Sequence, residues 1–211
     1  MNELSLFAFQ VAALFVQGDG RYSEGLLIPH VDLWTEARDA RTYTGPLPVV
    51  AHPPCQLWGN LAAVNYSRWG GDHNRPGNDG GCFKAAMDAV EKWGGVLEHP
   101  AGSLAFKTYG IEKPQARGWQ RSGDGWVCEV WQSAYGHRAR KATWLYYCGE
   151  NPPADLRWER KEGTHQVGFK FGTDNAKPTL GKREANATPV EFRDALLQLA
   201  IEANTQSPPA H

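Results

Sequence analysis

The sequence predicts a single α/β domain with a Rossmann-like, mostly parallel sheet and helices on both of its faces. Three observations predict it. Short apolar runs bounded by Gly and Pro recur along the chain. They are β-branched or aromatic and mostly lack strict alternation, which suits strands covered on both faces. A legible helix in mid-chain feeds directly into one of these strands, an αβ step. The length, 211 residues with 41% apolar and 21% charged side chains, suits one domain with a substantial core and excludes wholesale disorder.

The strands read as Val11–Val16, Val31–Trp34, Pro48–His52, Gly95–Glu98, Val127–Gln132 and Thr143–Cys148. Asp79 caps the first helix, Phe83, Ala86, Met87 and Val90 form its apolar face, and Gly94-Gly95 stops it. The second helix opens at Thr188-Pro189-Val190-Glu191, where Thr at the cap, Pro at the first helical position and Glu three residues after the cap make a capping box. Phe192, Ala195, Leu196 and Leu199 then line its buried face. The polar, Gly/Pro-rich stretches 67–81, 113–125 and 150–164 read as loops. The domain is expected to cover residues 1–204, with 205–211 a flexible tail.

Composition narrows the function. Lys and Arg number 22 against 23 Asp and Glu, a net charge of −1 that rules out a strongly basic nucleic-acid coat. No apolar run approaches the roughly 18–20 residues of a membrane span, and the short run Phe7–Val16 has no basic segment before it, so no membrane contact and a cytoplasmic location are expected. Cys55, Cys82, Cys128 and Cys148 show no C-x-x-C pairing and read as reduced thiols.

Three segments place reactive groups at strand ends, where an open α/β sheet forms its ligand crevice. In Val49-Val50-Ala51-His52-Pro53-Pro54-Cys55-Gln56 two prolines hold a thiol in a rigid turn. In Gly95-Val96-Leu97-Glu98-His99-Pro100 a strand ends in a carboxylate beside an imidazole, and a carboxyl in a desolvated cleft can stay protonated and act as an acid. The run from Gln132 through Tyr135, Gly136, His137, Arg138, Arg140 and Lys141 into Thr143 puts a cationic turn before a strand. Taken singly, each has a plainer use as a packed Cys, a solvated Glu or an exposed basic hairpin. His52-x-x-Cys55 also has metal-ligand spacing that His73, Cys82 and His99 could complete, but no second spaced pair appears and no metal is expected.

In this order the three segments resemble the motifs of the cytosine-C5 DNA methyltransferases. Pro54-Cys55-Gln56 is similar to that family's Pro-Cys motif, Glu98-His99-Pro100 to its Glu-Asn-Val motif, and Tyr135-Gly136-His137-Arg138-Ala139-Arg140 to its aromatic-Gly…Gln-x-Arg-x-Arg turn. Asn186-Ala187-Thr188-Pro189 resembles its last motif. The resemblance spans about residues 10–200, in the compact form of methylase-like bacteriophage proteins. It implies a fold similar to that family's catalytic core and a DNA or pyrimidine-nucleotide substrate. Cys55 would add to C6 of the base, Glu98 would be the acid at N3, and Arg138 or Arg140 would support the base. His52, Pro54, Gln56, His99, Tyr135, His137 and Lys141 would line the substrate site. S-adenosylmethionine would be held by Phe15, Gly18, Gly20, Asp32 and Asn186.

The chain departs from the pattern in two places. The glycines of Leu14-Phe15-Val16-Gln17-Gly18-Asp19-Gly20 are displaced, and Arg21 to Leu27 leave too little chain for a full helix before the next strand, so weak or absent donor binding is expected. Between Gly149 and Gly181 about thirty residues remain for target recognition. Two other functions stay open: a non-catalytic nucleotide- or DNA-binding module, and a scaffold that binds a host protein. A covalent adduct with a fluorinated pyrimidine would favour the enzyme, and base binding without one would favour the module.

Overall fold

The computed structural model describes residues 9–23, 30–59, 61–115, 117–168 and 177–205. In chain order these form β1 (Val11–Leu14), β2 (Val31–Trp34), β3 (Val49–Ala51), α1 (Leu61–Trp69), α2 (Cys82–Trp93), β4 (Gly95–Pro100), α3 (Leu104–Thr108), β5 (Gln120–Ser122), β6 (Gly125–Trp131), β7 (Ala142–Cys148), α4 (Lys182–Asn186) and α5 (Val190–Thr205). The strands make one sheet in the order β2-β1-β3-β4-β7-β6-β5. β2, β1, β3 and β4 pair in parallel. β7 then lies antiparallel between β4 and β6, and β5 pairs antiparallel with β6. The sheet is therefore mixed, with β2, β1, β3, β4 and β6 running one way and β7 and β5 against them.

Helices cover both faces. Phe83, Ala86, Met87 and Val90 of α2 pack with Leu14, Ala51 and Leu97 on one side. Phe192, Leu196 and Leu199 of α5 pack with Ala13, Val50, Val96 and Leu145 on the other. Burial on both sides accounts for the continuous apolar runs.

Local chemistry sets the element ends. β1 stops at Leu14 because Phe15 turns to φ 59°, a left-handed conformation uncommon for a bulky residue. β4 runs on to Pro100, pairing with Thr143 of β7. The stretch read as a loop at 113–125 contains β5, joined to β6 through Gly123 at φ 58°. α1 and α3 were not legible, since α1 buries only Ala62 and α3 is a single turn. Asp79 does cap α2, accepting from the backbone N–H of Gly81 (2.9 Å) and Phe83 (2.8 Å). α5 starts one residue later than its capping box predicts. The Pro189 carbonyl accepts from Phe192 and Arg193, and the Glu191 carboxylate pairs with Arg157 instead of turning back to the cap. Residues 206–211 lie outside the described residues, and Thr205 ends α5.

Gly95 shows why α2 and β4 meet as they do. Its φ is +122°, and a Cβ there would stand 2.0 Å from the Val49 carbonyl oxygen. Gly95→Ala should cost on the order of 3 kcal/mol, read as a lower urea midpoint with an unchanged slope.

Candidate functional site

Alternation along β4 sends Leu97 and His99 to the α2 face, and Val96 and Glu98 to the α5 face. Glu98 thus ends up at the carboxyl ends of the parallel strands, 9% exposed. His52, just past β3, presents Nδ1 to Glu98 Oε2 at 2.9 Å and Nε2 to the Tyr22 hydroxyl at 2.8 Å. Gln132, at the end of β6, donates from Nε2 to Glu98 Oε1 (3.1 Å) and to Thr143 Oγ1 (3.0 Å). The Thr143 hydroxyl donates to the Lys141 carbonyl at 3.2 Å. Two side chains from separate segments, His52 and Gln132, therefore meet on one carboxylate, and Tyr22 and Thr143 stand behind them.

Burial alone would push the Glu98 carboxyl up. The hydrogen bond from His52 and the charge of Lys141 outweigh it and hold the group down at about 2. Glu98 is therefore ionised, with both oxygens accepting from protein donors. The expectation of a protonated Glu98 acid is corrected on this point. The proton next to the carboxylate is carried by His52 Nδ1, because a carboxylate can only accept. Tyr22 keeps its proton, since burial and the charge of Glu98 push its pKa well up.

Cys55 sits half-buried in the turn after β3, its carbonyl accepting from Trp58 N–H. Burial and then Glu98 push its thiol up, while the backbone hydrogen bond and Lys141 pull it down by less. The thiolate is thus not favoured before substrate arrives, and Lys141 is the side chain that works against this.

The cation that reaches this centre is Lys141. Its backbone sits at φ 35°, its charge acts on both Glu98 and Cys55, and its ammonium lies 3.4 Å from the Asn186 and Ala187 carbonyls. Arg138 and Arg140 turn elsewhere. Arg138, 53% exposed, makes a two-pronged pair with Glu184 (2.5 and 2.7 Å), and Arg140 stacks 4.8 Å above Trp131. The family's arginine roles therefore do not carry over to them in this structure.

The remaining substrate candidates divide. Pro54 and Gln56 are exposed in the Cys55 turn. Tyr135 is structural: its ring packs 5.0 Å from Phe192 and its hydroxyl accepts from Arg157 N–H. His137 folds onto the Ala139 backbone at 2.9 and 3.0 Å. His99, 1% exposed, lies edge-on to Phe83 at 5.2 Å, on the opposite face from Glu98. Neither of its ring nitrogens has a hydrogen-bond partner of proper geometry, although the nearby Pro54 carbonyl favours its protonation. Burial is the largest influence and takes it down to about 4, so His99 is neutral.

The methyl-donor residues do not fit their expected ligand. Asp32, which would grip a ribose hydroxyl, already binds Trp34 Nε1 at 2.8 Å and Arg38 at 2.5 Å. The Arg38 guanidinium also lies 4.0 Å over the Trp34 ring. Gly18 and Gly20 form no cradle around a ligand: a Cβ at either would meet this chain's own Thr35 or Gln17. Asn186 contributes its carbonyl to Lys141. Calorimetry with S-adenosylmethionine should accordingly show no binding in the low-micromolar range, and clear heats there would show that Arg38 is readily displaced.

Among the described residues, no group of three or more His, Cys, Asp or Glu is gathered to hold a metal ion, and no helix is long and apolar enough to cross a membrane. Tyr22, Gln132 and Thr143 are members of the site that the sequence did not reveal as such. Tyr22 lies in a short turn after β1, with no local signal connecting it to His52 thirty residues on. Gln132 and Thr143 stand at strand ends and read as strand residues. No protein-family model matches the chain, and no curated protein sequence is detectably similar to it.

Proposed function

We propose that this protein acts on a pyrimidine base, in DNA or a nucleotide, by adding the Cys55 thiol to ring carbon C6, in the manner of a cytosine-C5 methyltransferase-like enzyme. The observation that supports it is the buried Glu98–His52 pair at the carboxyl ends of β3 and β4, with Cys55 on the turn that follows β3 and His52. A pyrimidine ring accepts a thiol only when its nitrogen is protonated or strongly hydrogen-bonded at the same time. A proton-bearing carboxylate–imidazole pair, and a lysine whose charge favours the thiolate, supply that chemistry. No group transfer is assigned, because Asp32 is engaged by Trp34 and Arg38 and the Asn186 carbonyl by Lys141.

The test is incubation with 5-fluorocytosine, as free nucleotide and in an oligonucleotide, followed by intact-mass measurement. The expected result is a one-to-one adduct that Cys55→Ser abolishes, and no adduct with either form together with no exchange of the cytosine C5 hydrogen for deuterium overturns the reading. A second reading, a base-binding module without catalysis, is favoured by the raised Cys55 thiol and by Arg38 on Asp32. It predicts saturable base binding with no change in protein mass.

A further inference from the structure

Resting on that reading, we propose that His52 supplies, through Glu98, the proton that the ring takes when Cys55 adds to it, with Tyr22 holding the imidazole in place. The geometry carries this. Both Glu98 oxygens are occupied, one by Gln132 and one by His52 Nδ1. Gln132 cannot release a proton, so the mobile one is that on His52 Nδ1. Tyr22, 5% exposed and 2.8 Å from Nε2, accepts from that nitrogen when the ring is charged, which orients the imidazole from its far side.

The step balances. The thiol proton leaves to water and the sulfur–C6 bond forms. The C5=C6 pair becomes a C4=C5 bond, and the C4=N3 pair takes the proton that His52 Nδ1 passes to Glu98 Oε2 and that Glu98 hands on to N3, so that Glu98 ends ionised as it began. His52 is left neutral, still donating from Nε2 to Tyr22, and water restores its proton. His52 is a positioning and proton-storing residue, since it acts through Glu98. The ionisable groups around this pair are Tyr22 after β1, Cys55 after β3, His99 on β4 and Lys141 before β7, with Arg193 and Asp194 of α5 acting on Tyr22. Of these, Tyr22 and His52 itself touch the ring or the carboxylate directly through proton-bearing atoms.

His52→Gln is the decisive variant. An amide can donate to Glu98 and bond Tyr22, so a purely structural role survives it, whereas a proton store does not. The readout is exchange of the cytosine C5 hydrogen for deuterium in an oligonucleotide, followed by NMR across pH, since addition at C6 opens C5 to exchange. Thermal unfolding checks that the variant is folded. The expected result is a loss of 100-fold or more in His52→Gln and disappearance of the pH-dependent limb, with Tyr22→Phe losing about tenfold. A folded His52→Gln that exchanges within threefold of the parent and keeps its pH profile overturns this inference and leaves the Cys55 reading standing. A parent protein that neither exchanges C5 hydrogen nor forms the fluorocytosine adduct overturns both.

Discussion

Acid should weaken this protein in two stages, beginning well above the usual range for carboxylates. The first stage belongs to His99. Its folded value of about 4 lies below the roughly 6.5 of an unfolded histidine, because burial beside Phe83 disfavours the cation. The unfolded chain therefore takes up this proton first. The stability that neutral His99 represents is complete above about pH 6.5 and drains as pH falls towards 4, by on the order of 3 kcal/mol. The second stage belongs to Glu98. Its folded value of about 2 lies below the roughly 4.3 of an unfolded glutamate, so its contribution is complete above about pH 4.5 and is lost as pH falls towards 2, again by on the order of 3 kcal/mol. Urea midpoints at pH 7, 5 and 3 should drop at each interval. His99→Leu removes a buried group with two unpartnered nitrogens, so it should raise the midpoint at pH 7 and flatten the change from pH 7 to 5, leaving the Glu98 stage in place. A midpoint in the parent that is constant between pH 7 and 5 would contradict a buried, neutral His99.

The parallel half of the sheet was legible because its signal is local. Val11–Leu14, Val49–Ala51 and Gly95–Leu97 are apolar on both sides of the pleat, while Val31–Trp34, at the sheet edge, is apolar apart from Asp32. α2 was legible for the same reason: its stripe, its Asp79 cap and its Gly94 stop all lie within sixteen residues of sequence. The antiparallel half was read as strands but not as topology. Nothing local says that β7 inserts between β4 and β6, because that choice is made by Pro100–Thr143 and Val130–Thr143 pairings across long separations. β5, with Gln120 and Arg121 at the sheet edge, carries no apolar signature at all.

The site was legible as a set of segments rather than as a set of roles. Cys55, Glu98 and the turn before β7 lie at strand ends on one end of the sheet. Which cation of Arg138, Arg140 and Lys141 faces inward depends on the backbone, and the left-handed turn at Lys141 decides it. Glu184 and Trp131 then hold the two arginines outward, and neither partner is near them in a way that spacing reveals. Similarly, the shift of Glu98 from acid to ionised acceptor is imposed by His52 and Gln132, which are brought in by β3 and β6.

Cys55 should alkylate slowly in the free protein, and its neighbours should tune the rate in opposite directions. Burial and the Glu98 charge raise the thiol, and Lys141 opposes them. The apparent pKa from the pH dependence of iodoacetamide labelling should therefore lie above the ordinary thiol value of about 8.5. Cys128 and Cys148 are buried and should label more slowly still. Glu98→Gln keeps the shape of the side chain and removes its negative charge, so the Cys55 pKa should fall and labelling at pH 7.5 should rise by up to about tenfold, the factor that one pKa unit represents. Lys141→Met keeps most of the apolar stem and removes the positive charge, so the pKa should rise and labelling should fall by a similar factor. Arg138→Ala should leave the rate unchanged, because its guanidinium is held by Glu184 on the exposed side. This pattern separates the charges that act on the thiol from those that only neighbour it in sequence. If Arg138→Ala slowed labelling as much as Lys141→Met, the cationic turn would face the thiol by its arginines after all. If Glu98→Gln had no effect, the carboxylate and the thiol would not share the site on which the proposed chemistry depends.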